Sequence, residues 1–152
     1  MKVFLYTFGK LKTPGLQEAS EYYLKLIRRW IVLDIRELKA HPSSDGQKRE
    51  TEILEKALQE HPTSLIYLLD ETGEEKTTLA WSERFQSWKS SGISEICFCI
   101  GSSWGFSQAF KQKKPCISLG KQTLAYGLCR VVLLEQMYRI QTLLHQHPYH
   151  HL

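Results

Sequence analysis

Hydrophobic and polar positions switch repeatedly between a period of two and a period near 3.6 along this chain. Lys2–Phe8 is rich in β-branched and aromatic residues and reads as a strand. From Pro14-Gly15 to about Arg29, Leu16, Tyr23, Leu26 and Ile27 fall near helical spacing. Trp30–Leu38 alternates, with Ile31, Leu33 and Ile35 on one face of a second strand. A polar loop over His41–Gly46 leads into a charged helix, Gln47–Gln59, whose apolar stripe is Ile53, Leu54, Ala57 and Leu58. Ser64–Leu69 and Ile96–Ile100 are continuous apolar runs ending at Asp70 and Gly101, the pattern of central strands buried on both faces. A helix over Thr78–Lys89 carries Leu79, Phe85 and Trp88. Ser107–Gln112 reads as a short helix, Cys116–Leu119 as a short fifth strand and Thr123–His145 as a long final helix.

Strands alternating with helices predict βαβ units: an α/β domain spanning 1–152, with a mostly parallel five-stranded sheet and helices on both faces. Ligands of open α/β sheets bind at the carboxyl ends of the strands. Two loops fall there, Gly101–Gly105 and Leu119–Leu124. A GxGxxG fingerprint is absent, which argues against a dinucleotide site.

Composition narrows the function classes. With 42% hydrophobic residues in 152 the chain can build a core. No apolar run is long enough to span a bilayer, and Met1-Lys2 leads straight into a strand, so a cytoplasmic protein without membrane contact is expected. Cys97 and Cys99 share one face of a strand, Cys116 and Cys129 stand apart, and no zinc spacing occurs. His145 and His147 lack companion ligands, so no metal is expected. A cysteine hydrolase would need a reactive thiol beside a base, whereas these cysteines read as buried small hydrophobes. The net charge is +4, and from Lys111 onward six Lys/Arg and four His face one acid, Glu135. Positive charge beside a ligand loop suggests an anionic partner such as RNA. Val131–Leu134 is apolar around nearly the full helix circumference, which predicts a homodimer seam.

The last third orders its motifs closely: Ile100-Gly101 with Gly105 and Ser107, then Ser118-Leu119, Arg130, Glu135-Gln136, Tyr138-Arg139 and the tail His147-Pro148-Tyr149-His150. With Gly9-Lys10-Leu11-Lys12, Leu69-Asp70 and Gly73 upstream, this order resembles the RlmH (YbeA-like) family of SPOUT-class ribosomal RNA methyltransferases over nearly the whole chain. The resemblance implies a C-terminal trefoil knot, a homodimer, S-adenosylmethionine as cofactor, and methylation at N3 of a pseudouridine in large-subunit (23S) rRNA of the assembled ribosome. It places the cofactor on Leu69, Gly101 and the run Leu119, Gly120, Lys121, Gln122, Thr123 and Leu124, where backbone groups grip the adenine. The tail is expected to border the target nucleotide. The N3 proton must leave, so a base within hydrogen-bond reach is needed. His150 is the candidate, with Tyr149 orienting it and Arg130 and Arg139 holding phosphate or offsetting charge.

Two departures from the family pattern stand out. Ser102 replaces the second of two adjacent glycines and Trp104 a small or acidic residue, while Ala125-Tyr126-Gly127 replaces a Pro-His segment. They keep open an alternative, a non-catalytic RNA- or ribosome-binding protein on the same fold.

Overall fold

β1 (Lys2–Phe8) is the scaffold's reference strand: it pairs in parallel with β2 (Val32–Leu38) on one side and β4 (Glu95–Ile100) on the other. In the computed structural model, which describes residues 1–149, β3 (Leu65–Glu75) pairs with β4, and β5 (Cys116–Ser118) completes the edge. The order β2-β1-β4-β3-β5 is parallel at every step, so the expected mostly parallel sheet is wholly parallel.

The helices divide between the faces as βαβ chemistry requires. α1 (Pro14–Ile27), α3 (Thr78–Ser90) and α5 (Tyr126–Leu144) cover one face, where Val3, Leu5, Phe98 and Ile117 meet Ile27, Phe85, Trp88, Leu134 and Met137. α2 (Gly46–Leu58) and α4 (Gln108–Lys113) cover the other, where Phe4, Tyr6, Cys97 and Cys99 meet Leu54, Leu58 and Phe110. Cys97 and Cys99 thus share a face, as their spacing implies. α1 opens with Pro14 in its first turn; Thr77 and Ser107 cap α3 and α4 by accepting from the backbone N–H of Ala80 and Phe110.

Two boundaries differ from the sequence reading by three residues or more. β3 does not end at Leu69. Leu68 and Leu69 pair with Cys116 and Ile117, the chain bulges, and Glu74 and Glu75 rejoin β5 opposite Ile117 and Ser118. The Asp70 side chain holds the bulge by accepting from the Thr72 backbone N–H and hydroxyl. The last helix starts at Tyr126 rather than Thr123, because Ala125 is extended (φ −57°, ψ 141°).

α5 also corrects the argument for a dimer seam. It lies between α1 and α3 of its own chain and on the sheet, so Leu133 and Leu134 are buried without a partner. A narrower stripe stays outside: Leu128 is 42% exposed, and Val131 and Val132 are half-buried.

Candidate active site

The bulge in β3 and the loops after β4 and β5 enclose a cleft of about 630 Å³. Leu69, Gly101, Leu119, Gly120, Gln122, Thr123 and Leu124 all line it. Lys121 does not; its side chain points outward, with Nζ 3.6 Å from Glu75. Gly101 permits a close approach: a Cβ there would sit 3.1 Å from the Gly105 Cα across the turn, which would have to give by a few tenths of an ångström.

Each wall is fastened by side chains. Thr123 donates to Glu71 at 2.6 Å, tying the loop after β5 to the β3 bulge. Ser118 Oγ accepts from Gly120 N at 3.0 Å and donates to Gly120 O at 2.6 Å. Lys111 Nζ lies 3.1 Å from Asp70 Oδ2, an ion pair whose members are both largely covered. Burial pushes the Asp70 carboxyl up, but hydrogen bonds from Thr72 and Lys111 outweigh it and hold the group below its ordinary value. Cys129 lines the cleft, and burial pushes its thiol up to about 11, leaving it protonated and unreactive at neutral pH.

The other candidate residues lie elsewhere. Arg130 is committed to the β2 side: Nε donates to Ser20 Oγ at 3.0 Å and Nη1 to Glu37 Oε1 at 2.8 Å. Tyr149 and Arg139 sit together near the far end of α5. The Tyr149 hydroxyl donates to Glu135 Oε1 at 3.3 Å, Arg139 Nε donates to the same carboxylate at 2.9 Å, and its guanidinium lies 5.0 Å from the centre of the Tyr149 ring. That Glu135 contact keeps Arg139 more firmly protonated than usual. Burial, then Tyr23 and Glu135, push the Tyr149 phenol up to about 12, so it acts as a hydrogen-bond donor and not as a base near neutrality. Trp30 stacks on Tyr138 and His145 beside them. His150 lies outside the described residues. At 1.5 Å per residue, Glu135, the hub of this cluster, is about 14 Å along the helix from Tyr126 at the cleft, so the cluster lies on the middle and later turns of α5 and the cleft at its start.

Several residues at the site carry no sequence signal for it. Glu50 falls in a helix read as a charged face, yet it is 3% exposed and bonds Ser102. Lys111 reads as surface charge for RNA, yet it pairs inside the cleft. Tyr126, in the segment that departs from the family pattern, donates to the Lys10 carbonyl at 2.9 Å and so pins the start of α5 to the loop after β1.

Comparisons with known proteins bear on the family and the fold. The family model described as "Predicted SPOUT methyltransferase" matches residues 1–150. Proteins named ribosomal RNA large subunit methyltransferase H from Pelobacter propionicus and Trichlorobacter lovleyi are 32% and 33% identical, covering 99% of this chain and 100% of theirs. In fold, the chain is similar to a probable methylase family protein from Haemophilus influenzae, with TM-score 0.55 and 8% identity over 99% of this chain and 70% of that one. A family model matching residues 1–150 and whole-chain identity above 30% to proteins of that name, on a five-stranded parallel α/β sheet, assign this chain to the SPOUT methyltransferases, in the ribosomal RNA large subunit methyltransferase H family.

Proposed function

We propose that this chain uses S-adenosylmethionine to methylate N3 of a pseudouridine in large-subunit rRNA, on the assembled ribosome in the cytoplasm, acting as one domain and as a homodimer. The observation that carries this reading is the convergence of Leu69, Gly101 and the Leu119–Leu124 loop on one cleft. A cleft lined by strand-end loops suits a nucleoside, and the family resemblance puts its adenine edge against main-chain groups of Leu119–Leu124. When bound, S-adenosylmethionine supplies an electrophilic methyl group on a sulfonium. The chain's own work is then to orient the acceptor and receive its proton.

His150 takes the N3 proton, and Tyr149, held on Glu135, orients it. Arg139 offsets negative charge on the deprotonated ring. Arg130 contributes only if a phosphate displaces Glu37 from its guanidinium. Within one chain the Glu135, Arg139 and Tyr149 cluster lies further along α5 than the residues that line the cleft, so we take the site to be completed by a second copy. Pairing two copies through the Leu128, Val131 and Val132 stripe would set the tail of one against the cleft of the other.

Calorimetry with S-adenosylmethionine, followed by transfer of labelled methyl to intact large subunits and to protein-free rRNA, tests the reading. Binding with transfer to subunits and little to free RNA is expected, because a domain of net charge +4 grips few phosphates by itself. RNA binding without cofactor binding or methyl transfer would identify a non-catalytic module instead.

A further inference from the structure

The mechanism above leaves one buried carboxylate unused. Glu50, on α2, is 3% exposed. A carboxylate is costly to bury unless strong hydrogen bonds meet it. Two donors do so: the His41 backbone N–H at 2.8 Å on one oxygen and the Ser102 hydroxyl on the other. Ser102 is the hub of the turn after β4. Its Oγ also accepts from Trp104 N at 3.2 Å, and its carbonyl accepts from Gly105 N at 3.0 Å.

The same turn is fastened twice more to the segment 41–50. Trp104 Nε1 donates to the His41 carbonyl at 2.9 Å, and Gln47 Nε2 donates to the Trp104 carbonyl at 2.8 Å. The indole lies so close to Gly46 that a Cβ there would come within 2.5 Å of its nitrogen. This turn, Gly101–Gly105, is itself a wall of the cleft.

The geometry points to Glu50 as the positioning residue for this wall: acting through Ser102, it clamps the turn after β4 to the start of α2 in the shape that receives S-adenosylmethionine. This rests on the reading that the cleft takes that molecule. It also gives Ser102 and Trp104 a purpose. The serine supplies the hydroxyl that a buried carboxylate needs, and the indole supplies a second anchor to His41.

The test measures S-adenosylmethionine affinity by calorimetry and, without ligand, hydrogen exchange at the Trp104 and Gly105 amides. Glu50→Ala and Ser102→Ala should each weaken binding about tenfold and speed exchange at those amides, in line with couplings between residues that share one network. The double variant should be no worse than Glu50→Ala alone. Glu50→Gln should restore near wild-type affinity, since its amide oxygen accepts from His41 N–H and its NH2 donates to Ser102. Folded single variants with wild-type affinity and exchange overturn the proposal; so do strictly additive losses, which would mean that Glu50 acts by another route. If Glu50→Ala does not fold, Ser102→Ala and Trp104→Phe decide the matter by the same two readouts. A wild-type protein that does not bind S-adenosylmethionine overturns the functional reading instead, while the exchange data still decide the clamp.

Discussion

The two ends of α5 are built on opposite principles. At its start the cleft is walled by the β3 bulge and the loops after β4 and β5, held together by hydrogen bonds and an ion pair between their residues. At its far end the chain presents side chains: Glu135, Arg139, Tyr149, Tyr138 and Trp30 in mutual contact. A loop-built site tolerates changes of side chain as long as its loops stay fastened. Ser102, Trp104 and Tyr126 are such fastenings: each ties a loop to a neighbouring segment. A side-chain-built site has no such tolerance, because its chemistry resides in the groups themselves.

The sharpest way to break the first end is to alter its backbone. Gly101→Val places a branched side chain where a Cβ already meets Gly105 at 3.1 Å, and overpacking of this kind costs about 1–3 kcal/mol. Binding of S-adenosylmethionine should be lost altogether while far-UV circular dichroism stays native. Unchanged affinity in the folded variant would place the site elsewhere. The second end should fail in the reverse manner. His150→Ala should keep cofactor affinity yet slow methylation of intact subunits by roughly 10²–10⁴-fold, the usual worth of a general base. A wild-type rate across neutral pH would show that another group or water takes the proton.

These two ends also differ in how far they can be read without coordinates. Strands and helices follow from their periods, so the Gly101–Gly105 and Leu119–Leu124 loops at strand ends were legible, whereas Leu69 was singled out only by the family resemblance and on its own reads as core. The continuation of β3 past Leu69 was not, since Asp70–Glu75 is polar and its path is set by the Asp70 turn and by pairing with β5. Glu50 was not legible either: the stripe Ile53, Leu54, Ala57 and Leu58 says which face of α2 is apolar, but not that a serine 52 positions away would meet a carboxylate. Residues near the tail could be picked out by type, but not their distance from the cleft, which depends on the direction of α5 across the sheet.

That distance makes assembly the next place to press. Sedimentation at micromolar concentration should show a dimer. Leu128→Arg, which puts a charge into the exposed stripe, should shift it toward monomer by about 2 kcal/mol or more, the scale of a central interface residue. The monomeric variant should retain cofactor binding and lose transfer, because the cleft is complete within one chain and the tail cluster lies away from it. A wild-type protein that is monomeric at that concentration, or a monomeric variant that still methylates, removes the two-copy site.

The smallest expected effect sits in the tail cluster and is best seen against pH. Tyr149→Phe deletes the donor to Glu135, a bond of 3.3 Å, and should cost about 0.5–1.5 kcal/mol or less of stability at neutral pH. The phenol's folded value is raised to about 12 from an ordinary value near 10, chiefly by burial. A raised value favours the protonated form in the folded state, so this contribution is fully present below about pH 10 and is lost as pH rises toward 12. Thermal melts of wild type and Tyr149→Phe should therefore differ at pH 8 and converge between pH 10 and 12. Parallel curves over that range would mean that the phenol makes no use of Glu135 in solution, and with it would go the role of Tyr149 in orienting His150.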